Sequence, residues 1–168
     1  MTKRDAVMKW LTYGGTLLLV CLLQLFVTDR ISIFGVHPML LPLCAVTVGI
    51  LEGPSAGAGF GLATGLLSLV AIYRMPVLIL LFLPLAGLLS GLVSEYVIQS
   101  RFLGSLLCSM ICLVCIEGYH IIPRLVAGVP IRPLLQIALP ELLYSLLCLV
   151  PVYFLFHLAH RRVSRLYR

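Results

Sequence analysis

The side chains with most chemistry to offer are two acids set among apolar residues, Glu117 and Glu141. Glu117 is followed by His120 and Arg124, three and seven positions on, and a helix places all three on one face. Glu141 follows Pro140, whose missing N–H frees a carbonyl group and admits water to a distorted turn. An acid at the centre of a membrane helix costs about 2.5–3.5 kcal/mol on insertion scales, so such groups face protein or water. Two chemistries are open to them. One is a proton or cation path. The other is a structural ion pair of Glu117 with Arg124 that fixes helix register, and this is the expectation, because a relay needs more carboxylates at matched depth.

The remaining reactive residue types point to packing. Cys112 and Cys115 form a Cys-x-x-Cys, but a redox pair needs a helix N-terminus to favour the thiolate, and both lie in the middle of an apolar run. A metal site needs further ligands, and only Cys108 is close in sequence. His37, His120, His157 and His160 show no ligand spacing, and His157 and His160 read as interfacial residues beside a basic end. The chain has no Gly-x-x-x-x-Gly-Lys-Ser/Thr loop for nucleotide phosphates. Neither a catalytic residue, a metal nor a cofactor is expected.

The elements that hold these residues follow from composition. Of 168 residues, 61% are hydrophobic and 11% charged, with a mean hydropathy of +1.13. That is too little charge to solvate a water-facing exterior, which excludes a soluble monomer and a disordered chain. The net charge of +6 is not gathered on a stripe, as a nucleic-acid footprint would require. A span needs about 20 apolar residues. Six stretches qualify, approximately 11–28, 36–51, 56–73, 76–98, 102–122 and 135–158. Their continuous apolarity lacks the alternation of barrel strands, so the fold class is all-α, a polytopic bundle forming one integral-membrane domain over 1–168. Glu52, Gly53 and Pro54 leave a very short link between the second and third stretches. Two full spans are expected there rather than a re-entrant pair, since Pro54 suits a helix start.

Lys3, Arg4, Lys9, Arg101, Arg161, Arg162, Arg165 and Arg168 fall on one side of this layout, and Arg30, Arg74, Arg124 and Arg132 on the other. The excess of Lys and Arg predicts that both basic ends, 1–10 and 159–168, are cytoplasmic, as an even number of crossings requires. The first stretch is longer than a signal-peptide core and no Ala-x-Ala follows it, so it reads as a retained anchor. Glu52 and Glu95 are expected at the cytoplasmic interface. Trp10, Tyr13, Tyr73, Tyr96, Tyr119 and Tyr153 fall near span ends and read as an interfacial belt.

Gly49, Gly53, Gly57, Gly61 and Gly65 recur every four residues, with Gly87 and Gly91 repeating the device further on. On a helix this makes a smooth groove against which a second helix approaches closely. The groove serves the protein's own third and fourth helices or a partner's helix, and internal packing is the expectation.

The entry Ile-Phe-Gly-Val-His-Pro (Ile33 to Pro38), the glycine run from Gly57 to Leu67 and the ending Leu-Pro-Glu-Leu-Leu-Tyr to Val-Pro-Val-Tyr (Leu139 to Tyr153) stand in an order that resembles the MreD rod shape-determining family. The likeness covers most of the chain. In that family an Asp often follows the Gly-x-x-x-Gly by four residues; here that position is Leu69, and the nearest polar residue is Ser68. The resemblance implies a non-enzymatic membrane subunit of the cell-elongation machinery. Such a subunit binds the membrane-anchored protein MreC and couples the MreB filament to peptidoglycan synthases. The family is also similar in fold to substrate-binding subunits of energy-coupling-factor vitamin transporters, which supplies a second reading. Those subunits often carry Ala-x-x-x-Ala in the first helix, and the stretch 11–28 has no alanine.

Overall fold

The computed structural model describes residues 3–30, 39–71, 78–96, 101–128 and 130–166. Ile33 to Pro38, Tyr73, Arg74 and Arg168 lie outside the described residues. Within them the chain is six helices: α1 (Lys3–Arg30), α2 (Leu40–Glu52), α3 (Pro54–Ala71), α4 (Ile79–Tyr96), α5 (Arg101–Val126) and α6 (Ile131–Leu166). Four of them, α1, α4, α5 and α6, are long and apolar enough to cross a membrane, while α2 and α3 are shorter apolar helices. The molecule is an all-α membrane protein. The six expected stretches each hold a helix, but their lengths are unequal. At about 1.5 Å per residue, the 13 residues of α2 reach only about 20 Å, well under the ~30 Å of a hydrocarbon layer.

The short helix is the centre of the bundle. Every residue of α2 from Leu40 to Leu51 is buried, and the helix touches all five others. Its sequence, Leu-Leu-Pro-Leu-Cys-Ala-Val-Thr-Val-Gly-Ile-Leu, is apolar all round, as a helix with no exposed face must be. A helix that starts inside an apolar interior leaves its first four N–H positions without intrahelical partners. All four are accounted for. The Leu40 and Leu41 amides donate to Gln24 Oε1 of α1 at 3.1 and 3.0 Å, and Met39 N–H donates to Ser145 Oγ of α6 at 3.0 Å. The fourth is Pro42, which has no N–H to satisfy. Pro42 is thus tolerated, and Gln24 and Ser145 are buried polar residues with a definite task.

At its other end α2 turns into α3 through one residue. Gly53 takes φ +98°, a left-handed conformation that an L side chain resists, and donates its N–H to Gly49 O at 2.9 Å. Pro54 then opens α3, where no intrahelical N–H is missed. The result is a tight helical hairpin packed along α4. The other prolines do not end their helices: α6 runs through Pro140 and Pro151 and α4 through Pro84.

The aromatic belt expected from span ends is only partly in place. Trp10, Tyr96 and Tyr119 are exposed, but Tyr13 is the largest fully buried side chain. Its ring stacks on Phe156 of α6 at 6.2 Å and meets Phe60 of α3 edge-on at 6.4 Å. Tyr153 packs edge-to-face on Phe102 at 5.2 Å. These rings turn inward because their helices face one another at that depth, a fact no single-helix pattern contains.

Candidate functional site

Two built features dominate the interior: a seam of glycines joining α2, α3 and α4, and a polar cluster closing one end. In the seam, a Cβ placed on Gly61 would lie 2.5 Å from the Leu83 carbonyl oxygen and 2.7 Å from Pro84 Cα. One placed on Gly91 would lie 2.5 Å from Pro54 Cα, and one on Gly65 would meet Leu80 Cα at 3.2 Å. Gly57 and Gly87 exclude side chains from one another, and Gly49 of α2 meets Gly87 as well. Ser90 and Ser94 of α4 reach across to donate to Val46 O and Ile50 O of α2, both at 3.2 Å. Backbone therefore lies against backbone over several turns, which only glycine permits. Gly57, Gly61, Gly65, Gly87 and Gly91 face the protein's own helices, so this groove is filled from within. Gly59, on the same helix, has nothing within 4 Å of its would-be Cβ.

The polar cluster gathers on Glu52, the last residue of α2 and just past the predicted span 36–51. Lys9 of α1 pairs with Glu52 Oε2; Tyr13 donates to Oε1 at 2.6 Å; and His160 Nδ1 of α6 lies 2.9 Å from the same oxygen. Tyr13 OH and His160 Nδ1 are 3.1 Å apart. Beneath them Tyr13, Phe60 and Phe156 close an apolar floor, the last two in edge contact at 5.8 Å. The Glu52 side chain is 8% exposed, so it is not the loosely solvated interfacial acid expected from sequence. Burial pushes its pKa up, but hydrogen bonds to His160, Lys9 and Tyr13 outweigh that and hold it down, from 4.5 to about 2.

A sign follows. A carboxyl with a depressed folded pKa contributes stability that is fully present above its ordinary value near 4.5 and is lost as pH falls towards about 2. Glu52→Gln is expected to lower stability at pH 7 by about 1–2 kcal/mol, a figure kept modest because the amide oxygen can still accept from Tyr13 or Lys9. The same variant should flatten the loss of melting temperature below pH 4.5. Thermal melts of both proteins across that range check it; parallel pH profiles would refute the assignment.

The structure sets Glu117 near Arg124 and, from the neighbouring helix, near Glu141. Glu117 of α5 and Glu141 of α6 lie near enough to feel each other's charge and that of Arg124. Among the described residues the ion pairs are Lys9 and His160 with Glu52, and none joins Glu117 to Arg124. His120, on the face of α5 shared with Glu117, lies beside Tyr119, the ring centroids 5.7 Å apart.

All six cysteines are free thiols; Cys112 is buried and Cys115 exposed. Cys115 instead lines an apolar cavity of about 290 Å³ between α4 and α5, with Leu78, Phe82, Ile116 and Tyr119 among its walls.

No family model, curated protein or solved structure matches this chain. Sequence reasoning found the glycines and the two acids but missed Lys9, Tyr13, Glu52 and His160 as a group. Lys9 and Tyr13 are four apart on α1, and Phe156 and His160 four apart on α6. Such spacing announces a face without naming what it meets.

Proposed function

We propose that this protein is a non-enzymatic scaffold of the bacterial cell-elongation complex. It sits in the cytoplasmic membrane with both ends on the cytoplasmic side and binds an MreC-like membrane-anchored protein. Through that protein it links wall-elongation synthases to the MreB filament; lipid and these proteins are its partners, and nucleic acid is not. The order of the quoted motifs and the asymmetry of Lys and Arg support this reading. The observation that carries it is how the interior is spent. Glycine backbone contacts fill the α2–α3–α4 seam. The buried Gln24, Thr47, Thr64, Ser68, Ser90 and Ser145 hydrogen-bond to the chain's own backbone. Apart from Ser109 Oγ, which is buried without a hydrogen-bond partner, the described interior is committed to itself, and that suits a docking block. The outer faces of α1 and α5 then offer long apolar residues such as Leu18, Phe26, Ile111 and Ile122 to a partner helix.

Affinity purification from native membranes, with identification of co-purifying proteins, tests the proposal. Recovery of a membrane-anchored wall-elongation protein together with synthases or filament protein is the expected result. Recovery of paired ATPases with a membrane coupling subunit would overturn it in favour of vitamin transport.

A further inference from the structure

The packing that closes the glycine seam leaves a gap beside it. α4 is held against α2 and α3 by backbone approach at Gly49, Gly57 and Gly61. α5 is held on α2 separately, by the Ser105 and Thr47 hydroxyls 3.4 Å apart and by Cys112 and Ile116 packed with Val46 and Ile50. With both helices fixed to the same buried α2, neither can shift to close on the other. The cavity of about 290 Å³ lies between them. Phe82 of α4 and Ile116 of α5 line it and also pack with Val46 and Ile50, so they form its floor.

The shape of this space decides what fits it. Leu78 O accepts from Phe82 N–H at 3.0 Å, so Leu78 stands in register with α4, and Leu78, Leu81, Phe82 and Leu85 share one helix face. Cys115 and Tyr119 stand four apart on α5. The cavity is therefore a groove along the helices, and the seven steps from Leu78 to Leu85 make it about 10 Å long. A volume of about 290 Å³ spread over that length leaves a bore of about 6 Å. A helix with its side chains is about 10–12 Å across and does not enter; a single unbranched hydrocarbon chain does. Among the described residues that line the groove, Cys115 and Tyr119 supply the side-chain heteroatoms and none is charged. A charged ligand would lose its hydration there without a partner. Leu81 and Leu85 are more than half exposed on a helix long and apolar enough to cross a membrane, so the open side of the groove faces hydrocarbon.

We propose that this groove seats one acyl chain of a membrane phospholipid, lying lengthwise between α4 and α5 on the Phe82 and Ile116 floor. The proposal stands apart from the scaffold reading and does not depend on it.

The full-length protein is reconstituted into vesicles of phosphatidylcholine whose acyl chains carry a photoactivated diazirine, and the labelled residues are located by mass spectrometry. Leu143, Leu147 and Val150, exposed apolar residues of α6 that line no part of this cavity, give the level set by ordinary contact with lipid. Segments 78–85 and 115–119 are expected to be labelled about fivefold above that level, a ratio within the range that packing contacts supply inside a membrane. Cys115→Phe puts a ring into the groove and should bring the ratio towards unity. Ile111→Phe, one turn earlier on α5 at an exposed position outside the groove, should leave it unchanged. Labelling of the parent protein that is no higher in the groove than on α6 overturns the proposal. So does a Cys115→Phe protein that keeps both the full ratio and the parent's melting temperature. Low labelling of the groove together with a dimer in size-exclusion chromatography would overturn it in favour of a second copy of the chain on this face.

Discussion

Gly61→Leu is expected to destabilise the bundle by at least about 3 kcal/mol and to reduce sharply the yield of monodisperse protein in detergent. The first carbon of the new side chain would already stand 2.5 Å from Leu83 O and 2.7 Å from Pro84 Cα, both backbone atoms that cannot swing aside. Overpacking that displaces side chains alone costs about 1–3 kcal/mol, and forcing two helix backbones apart costs more, since it breaks contacts along the whole seam. Gly61→Ala should already be harmful by about 1–3 kcal/mol. Gly59 supplies the control on the same helix. With nothing within 4 Å of its Cβ position, Gly59→Ala should be neutral, or stabilising by up to about 1 kcal/mol through helix propensity. Melting followed by size-exclusion chromatography separates the two sites. If the variants at 59 and 61 melt together, α3 and α4 do not pack as described.

The second large effect is expected at Gln24. Gln24→Leu removes the acceptor for the Leu40 and Leu41 amides and leaves two donors buried among apolar side chains. An unsatisfied buried polar group costs about 1–3 kcal/mol, so the variant should lose roughly 2–4 kcal/mol even though leucine suits a membrane helix better than glutamine. Insertion scales would rank this substitution as favourable, so the sign of the result discriminates between a polar residue tolerated in the bundle and one that the bundle needs. Hydrogen exchange at Leu40 and Leu41 supplies a local readout, and both amides should exchange faster in the variant while the far end of α2, near Gly49, keeps its protection. A neutral or stabilised Gln24→Leu protein would mean that the start of α2 is satisfied in some other way.

The second effect arises from the start of α2, the element whose nature was least legible beforehand. Its apolar run is plain to see, and so are Pro38 and Pro42 within it, yet its length and depth are not. A run of leucine and valine looks the same whether it crosses a bilayer or begins inside one. What distinguishes the two cases is whether a neighbouring helix brings an acceptor to the first turn. Gln24 lies 16 residues away on another helix, and nothing in its own surroundings marks it as a cap. Tyr13 makes the same point: its position near a span end suited a lipid interface, but Phe60 and Phe156 take it into the core.

An all-helical membrane protein was already legible in the residues. The scarcity of charge and the length of the apolar runs leave backbone amides no other way to be satisfied in lipid. The sequence also marked a smooth face on α3, because the four-residue spacing of Gly57, Gly61 and Gly65 is a property of one helix. What each face meets came from the tertiary arrangement: that the glycines close on the protein's own α4, that α6 sets Glu141 near Glu117, and that Lys9, Tyr13, Glu52 and His160 converge. The physical reason is that periodicity gives direction around a helix axis, whereas pairing depends on the depth and order of several helices, which no single helix encodes.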